Sequence, residues 1–307
     1  MAKRLHENGL TVYTFQAMGC ACCLTLTAPA DRLRQRRLLR DAQHITEEVN
    51  QVASRFNPKS ELSILNREGH ARVSSTLFAL LEAAIDAARK TGGWVDLTVL
   101  PALLAVGYDR DFEYLQKEGS KPSTGVISWR STWREIQLDQ RTRNVSLPPE
   151  TQVDLGGIAK EWAADQAGTA LSAAGGAGWI DLGGDLRFFG VLEPQSVAVD
   201  DPLEMNGILA QIVLKEGGVA TSGVTKRRWK HGDKIAHHLI DPWTGKPTES
   251  NLLQVTCVAP TTLQAGTWAK AALLQGEERL DEIAKNAGIA GIAVDRSGRR
   301  IPFGYEQ

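Results

Sequence analysis

The chain has 307 residues, with 35 Lys and Arg against 36 Asp and Glu, a formal net charge of −1, 42% hydrophobic residues and four cysteines. At about 150 residues per domain this is material for one large core or two smaller ones, and the balanced charge supplies no basic field to hold a phosphate backbone, which argues against nucleic acid as a partner. No window approaches 18 uninterrupted apolar residues, against a membrane-spanning helix, and the N-terminal stretch lacks the apolar run of a secretory signal, so the expected compartment is the cytoplasm.

In chain order, strands are expected at 11–14 and 22–27. Cys20, Cys22 and Cys23 crowd together here while Cys257 is remote, neither a paired zinc spacing nor a disulfide framework. On a strand, Cys20 and Cys22 face one way and Cys23 the other. From Asp31 to Ala53, Leu33, Leu38, Leu39, Ala42, Ile45, Val49 and Val52 recur at helical spacing and predict a buried face, with the arginines between 32 and 40 solvated. Ser60 reads as the N-cap of a helix start, with Ser63 in its first turn. A helix over Ser75–Lys90 turns Leu77, Leu80, Leu81, Ala84, Ile85 and Ala88 inward and stops at Gly92 and Gly93. The stretch from Asp109 to Ser128 reads as a loop or insertion.

Further strands are expected at 133–138, 178–182, 196–200, 208–214, 235–240, 252–259 and 289–294, and helices from near Gly157 to about Ala173, from Thr262 to Gln275, and a shorter one to Asn286. Many strands follow one another without a helix between them. That predicts an α+β fold, a mixed and largely antiparallel sheet flanked by helices, in a single body over residues 1–307 with two lobes at most.

Four stretches can carry chemistry. Asp154-Leu155-Gly156-Gly157 leads a strand into a helix whose first amides can hold a phosphate, and it is echoed as Asp181-Leu182-Gly183-Gly184, so two strand ends would present similar turns toward one place. It is neither GxGxxG nor a Walker loop. Thr221-Ser222-Gly223 is followed by His237-His238-Leu239-Ile240-Asp241-Pro242-Trp243-Thr244-Gly245, where Asp-Pro-x-Thr-Gly signals a turn and adjacent histidines face opposite sides, so that at most one serves a site. Ser54 to Asn66 joins Phe56 to the capped helix start, and Thr91 to Pro101 places Asp96 just after a glycine bend.

Taken with Phe15-Gln16-Ala17-Met18-Gly19, these stretches resemble the ApbE family, the FAD:protein FMN transferases, across nearly the whole chain. The motifs carrying the resemblance are Met18-Gly19, Ser60 to Asn66, Asp96 to Pro101, Asp154 to Lys160, Gly183-Gly184-Asp185, Thr221-Ser222-Gly223 and His238 to Gly245. The resemblance implies an α+β protein that binds FAD and moves its FMN half onto a Thr or Ser hydroxyl of an acceptor protein with an FMN-binding domain, releasing AMP. It implies an FAD site lined by Met18, Phe56, Trp94, Val95, Asp96, Asp154, Gly157, Lys160, Ser222 and Ile240. Phe56 stands where the family often has Tyr, which keeps the stacking surface without the phenol. His238 or Asp241 would be the base, and positive charge would come from Mg²⁺, Lys160 and the helix start at Gly157, whose carbonyl is one of the implied metal ligands.

The chain departs from the pattern at Gln264-Ala265-Gly266-Thr267-Trp268-Ala269-Lys270, where the family carries an Asp and, four residues on, a Thr, Ser or Ala. Gly266 offers no side-chain oxygen and a protonated Lys270 cannot coordinate Mg²⁺. One expectation sets the Lys270 ammonium near the vacated cation position as a catalytic neutraliser of the pyrophosphate; the other makes it a surface lysine on an amphipathic helix. Glu161 in place of Gly and Cys20 in place of Thr remove no group needed for FAD. Two other activities share the resemblance: a non-catalytic FAD-binding protein, and an FAD pyrophosphatase in which water replaces the acceptor hydroxyl.

Overall fold

Among the described residues, nine strands join in one antiparallel sheet, in the spatial order Lys3–Glu7, Leu10–Ala17, Cys20–Leu26, Gly178–Leu182, Leu186–Phe189, Gly217–Gly223, Leu252–Ala259, Ala290–Asp295 and Arg300–Phe303. The structure is a computed structural model and describes residues 3–7, 10–27, 31–120, 129–190 and 193–305. Smaller antiparallel sheets pair Gln195–Asp200 with Ile208–Leu214, Arg228–His231 with Lys234–His237, Ile240–Asp241 with Lys246–Pro247, and His70–Arg72 and Gln137–Asp139 with Asn144–Ser146. The expected α+β class with a largely antiparallel sheet is what forms. Beta-branched and apolar runs supply the strands, and alternation along Leu10–Ala17 buries Thr11, Tyr13 and Phe15 on one face.

The helices are α1 (Arg32–Ala53), α2 (Glu61–Glu68), α3 (Ser75–Lys90), α4 (Leu100–Ala105), α5 (Phe112–Glu118), α6 (Ala159–Ala173), α7 (Thr262–Gln275) and α8 (Leu280–Ala287). Asp31 caps α1, accepting from Leu33 N at 2.8 Å and Arg34 N at 2.9 Å. The buried stripe of α1 runs through Gln35, Leu38, Leu39, Ala42, Thr46, Val49 and Ala53. Leu33, expected inward, is 78% exposed: it lies two residues, about 200° of helical turn, before Gln35 and so points away from the stripe. Ser60 does cap α2, accepting from Ser63 N at 3.0 Å while its hydroxyl donates to Ser54 O at 2.7 Å.

Three expectations need correcting. Residues 133–138 hold a 3₁₀ turn, Trp133–Glu135, before the strand Gln137–Asp139; the turn is pinned where Thr132 N donates to Thr98 Oγ1 at 3.2 Å. The expected loop of 109–128 contains α5, capped by Asp111, and its residues 121–128 lie outside the described ones. The expected strand at 235–240 stops at His237, and Ile240–Asp241 pairs separately.

Two large apolar clusters hold these layers. One joins α1, α3 and α6 to the strands Leu10–Ala17, Cys20–Leu26 and Gly178–Leu182; the other joins α7 and α8 to Leu252–Ala259 and Ala290–Asp295; Trp268 packs against both. The start of α7 approaches the strand Gly217–Gly223 so closely that a Cβ on Gly218 would lie 2.4 Å from Thr262 N, so only glycine admits the helix there. This docking sets α7 beside the N-terminus of α6, where the site is built.

Candidate functional site

Two aspartate-glycine turns open onto one cavity of about 800 Å³, ample for a small organic ligand. In the first, Asp154 Oδ1 accepts from Gly156 N at 2.9 Å; in the second, Asp181 Oδ1 accepts from Gly184 N at 2.7 Å. The repeated tetrapeptide therefore marks two turns lining one space, built differently: Asp154 bonds the amide two residues on at the start of α6, whereas Asp181 bonds the amide three residues on in a strand connection whose Gly183 and Gly184 are left-handed. Asp154 also pairs with Arg55 Nε at 2.6 Å, with side chains only 13% and 8% exposed. The Arg55 guanidinium lies 4.1 Å from the Phe56 ring centroid and 4.5 Å from that of Tyr108, so charge and aromatic surface are offered together.

The first turn runs straight into α6, which no side chain caps, a helix start suited to an anion. Lys160, in its first turn, reaches Asp185. Burial alone would pull the Lys160 ammonium down, but the Asp185 and Glu161 carboxylates outweigh it and hold the pKa above the ordinary lysine value. Lys270 on α7 donates to Glu161 Oε1 at 2.5 Å and to Gly266 O at 3.2 Å. Burial raises the Glu161 carboxyl, yet the Lys270 and Lys160 ammoniums prevail and keep it below the usual carboxylate range, ionised.

Most of the sequence-predicted residues meet here. Met18, in a left-handed turn with φ 52°, lines the cavity. So do Phe56, Trp94, Val95, Asp96, Asp154, Gly157 and Lys160, and, from the other motifs, Ser222, His238, Ile240 and Lys270. Asp96 is buried, and its carboxylate accepts from Thr98 N and Thr98 Oγ1 at 2.7 Å and from Ser131 Oγ, so it shapes its own loop. His238 faces the cavity whereas His237 bonds Thr248 O at 3.3 Å outside it. Burial, reinforced by the nearby Arg227 charge, pushes His238 well below the ordinary imidazole value, and its Nδ1 is buried without a partner among the described residues. Asp241, the other candidate base, is not brought to the cavity. Its Oδ1 accepts from Trp243 N at 2.7 Å and Thr244 N at 3.3 Å, closing the Asp-Pro-x-Thr-Gly turn.

Gly266 lies behind the cavity, not on its wall. A Cβ there would come within 2.7 Å of Glu161 Cγ and Oε1. Lys270 is not the surface lysine of an amphipathic helix: its side chain is 15% exposed and its partner Glu161 3%. Sequence reasoning missed Arg55, Tyr108 and Arg227 as cavity residues and treated Glu161 as incidental. Asp185 stood in plain view in Gly183-Gly184-Asp185; Tyr108 had no signal, since it arrives through α4 and the turn after it.

Beside Cys22, at 3.8 Å between sulfurs, the Cys20 thiol is drawn down to about 7 by the Cys22 hydrogen bond against opposing burial, helped by the Lys160 and Arg227 charges. Alkylation of the folded protein is expected to show a fast phase with a pH midpoint near 7 that disappears in Cys20→Ser. A midpoint at the ordinary thiol value would show that the Cys22 hydrogen bond and the two cations do not stabilise the Cys20 thiolate.

Residues 18–293 match the model of the ApbE family. The chain belongs to the ApbE family. Among its relatives, the FAD:protein FMN transferase of Salmonella typhimurium is 28% identical over 256 residues, covering 77% of this chain and 71% of that protein. That of Escherichia coli is 24% identical over 306 residues, covering 96% and 87%. In structure the ApbE protein of Thermotoga maritima superposes with a TM-score of 0.83 at 22% identity, covering 99% of this chain and 97% of that one. The flavin transferase ApbE of Vibrio cholerae gives 0.74 at 22% identity, covering 99% and 98%. The family expected from the motifs is thus the family found, and the ApbE fold carries the cavity.

The Mg²⁺ that the family resemblance implied does not suit these residues. Gly266 has no side-chain oxygen and its carbonyl accepts from Lys270, Lys270 presents an ammonium, and one oxygen each of the nearby carboxylates Glu161 and Asp185 holds Lys270 and Lys160. Among the described residues no three His, Cys, Asp or Glu side chains gather as a metal site, and no helix is long and apolar enough to cross a membrane.

Proposed function

We propose that this ApbE-family protein transfers the FMN moiety of FAD to a Thr or Ser hydroxyl of an acceptor protein with an FMN-binding domain, releasing AMP. The observation that carries the reading is the convergence of the family motifs, from Met18 to Ile240, on one cavity at the open start of α6. Relatives named FAD:protein FMN transferase support it.

The acceptor oxygen attacks the FMN-side phosphorus; its O–P bond forms as the bridging bond to the AMP phosphate breaks, and AMP leaves with the electron pair. His238 is the base that takes the hydroxyl proton, since its depressed pKa leaves the imidazole neutral and ready at pH 7. Lys160 and the α6 amides stabilise charge on the diphosphate. Phe56, Tyr108 and Trp94 offer ring faces to the flavin, and Arg55 and Asp154 fix the floor beneath them. The cytoplasm is the compartment proposed, supported by four free thiols, one drawn toward thiolate, which an oxidising compartment would tend to couple.

Incubation with FAD and an FMN-binding acceptor domain tests this by mass spectrometry. The expected result is one FMN added per acceptor with matching AMP. FAD bound with no AMP released would instead establish a storage or sensing protein, and AMP with free FMN a pyrophosphatase; either overturns the proposal.

A further inference from the structure

Three departures from the family pattern, two of them four residues apart on α7 and the third on α6, meet at one point. Glu161 on α6 and Lys270 on α7 form a nearly buried ion pair, and Gly266 is the residue whose missing side chain leaves room for Glu161. A Cβ at 266 would strike the Glu161 carboxyl at 2.7 Å, and one at Gly157 would touch Lys270 Cε at 3.4 Å. The positions implied for the metal, at Gly157, Gly266 and Lys270, are therefore filled by an ammonium and the carboxylate that holds it.

We infer that Glu161, Gly266 and Lys270 form a built-in cation, and that this protein binds the diphosphate of its dinucleotide with the Lys270 ammonium and no divalent metal; this rests on the FAD reading above. The chemistry of the pair supports it. An ammonium has three donors, of which Glu161 Oε1 and Gly266 O take two, leaving one to offer a phosphate oxygen from the cavity wall. Lys160 with Asp185 repeats the arrangement alongside, so two ammoniums on two buried carboxylates flank the helix start. A divalent ion brought here would face both ammoniums, with Glu161 Oε2, buried and without a hydrogen-bond partner among the described residues, as a carboxylate oxygen left to it, whereas an anionic diphosphate would meet two cations. Glu161 serves as the positioning residue, with Gly266 making its space.

The test compares FAD binding by calorimetry in EDTA and in Mg²⁺, with Mn²⁺ binding followed by electron paramagnetic resonance. Affinity is expected to be the same in both buffers, with no Mn²⁺ held by protein alone or with FAD. Because Lys270→Met alone would strand a buried carboxylate, the variant used is Glu161→Gln with Lys270→Met, its folding checked by thermal melting. Loss of one charge-assisted contact is expected to weaken FAD binding about ten- to a hundredfold in both buffers. Binding that collapses in EDTA, Mn²⁺ retained at the site, or a folded double variant with unchanged affinity would overturn the inference while leaving FAD as the ligand. Absence of FAD binding in both buffers would overturn the FAD reading and this inference together.

Discussion

Replacing His238 with asparagine is expected to slow FMN transfer by about a hundred- to ten-thousandfold, the loss that follows removal of a general base, while FAD affinity stays near that of the parent. The imidazole faces the cavity with a buried Nδ1 that has no partner among the described residues, and burial beside Arg227 depresses its pKa. The sign of the pH effect follows. A histidine whose folded pKa lies below the unfolded value of about 6.5 stays unprotonated, and thus active, as pH falls through the ordinary range, so the acid limb of the transfer rate lies below about 6.5. For stability the same shift works against the fold: below about 6.5 the unfolded chain takes the proton more readily, so stability declines on acidification. Single-turnover rates across pH check the first statement, and an acid limb at the ordinary value that persists in His238→Asn would remove His238 as the base.

The second large effect belongs to Asp154. In Asp154→Ala the Arg55 guanidinium, 8% exposed and packed against both the Phe56 and Tyr108 rings, is left with no counter-charge at 2.6 Å, and Gly156 N loses its acceptor. Stranding one member of such a pair costs about 3–5 kcal/mol. Urea unfolding reads this directly, and Asp154→Asn, which keeps an acceptor for Gly156 N, is expected to fall between the two. A loss below about 1 kcal/mol in the alanine variant would place the pair in effectively aqueous surroundings.

Much of the architecture was legible because it obeys local rules. The helices over Asp31–Ala53 and Ser75–Lys90 announce themselves by apolar period, and the sheet by short β-rich runs with no helices between. What escaped is held by distant partners. The six residues of α4 and seven of α5 are too short to show a period and form because Leu100, Leu103 and Leu115 pack with Tyr108 and Trp229. The site divides the same way. Its motifs sit on turns whose glycines and aspartates are visible in one dimension, whereas Glu161 and Lys270 stand 109 positions apart, and only folding turns two separate oddities into a pair. Asp241 shows the other side of this: one oxygen of a conspicuous carboxylate in a recognisable motif closes a turn, a contact the sequence reading of a candidate base did not include.

The steric exclusion between positions 161 and 266 gives a sorting rule for relatives of this chain. One volume cannot admit both a glutamate from the first helix and a side chain from the second, so the two letters should swap in concert: aspartate with a small neighbour, or glycine with glutamate and a lysine four places on. A sequence carrying both acids would be under steric stress, one carrying neither would be short of anchoring charge, and passage from one scheme to the other would cross such an intermediate.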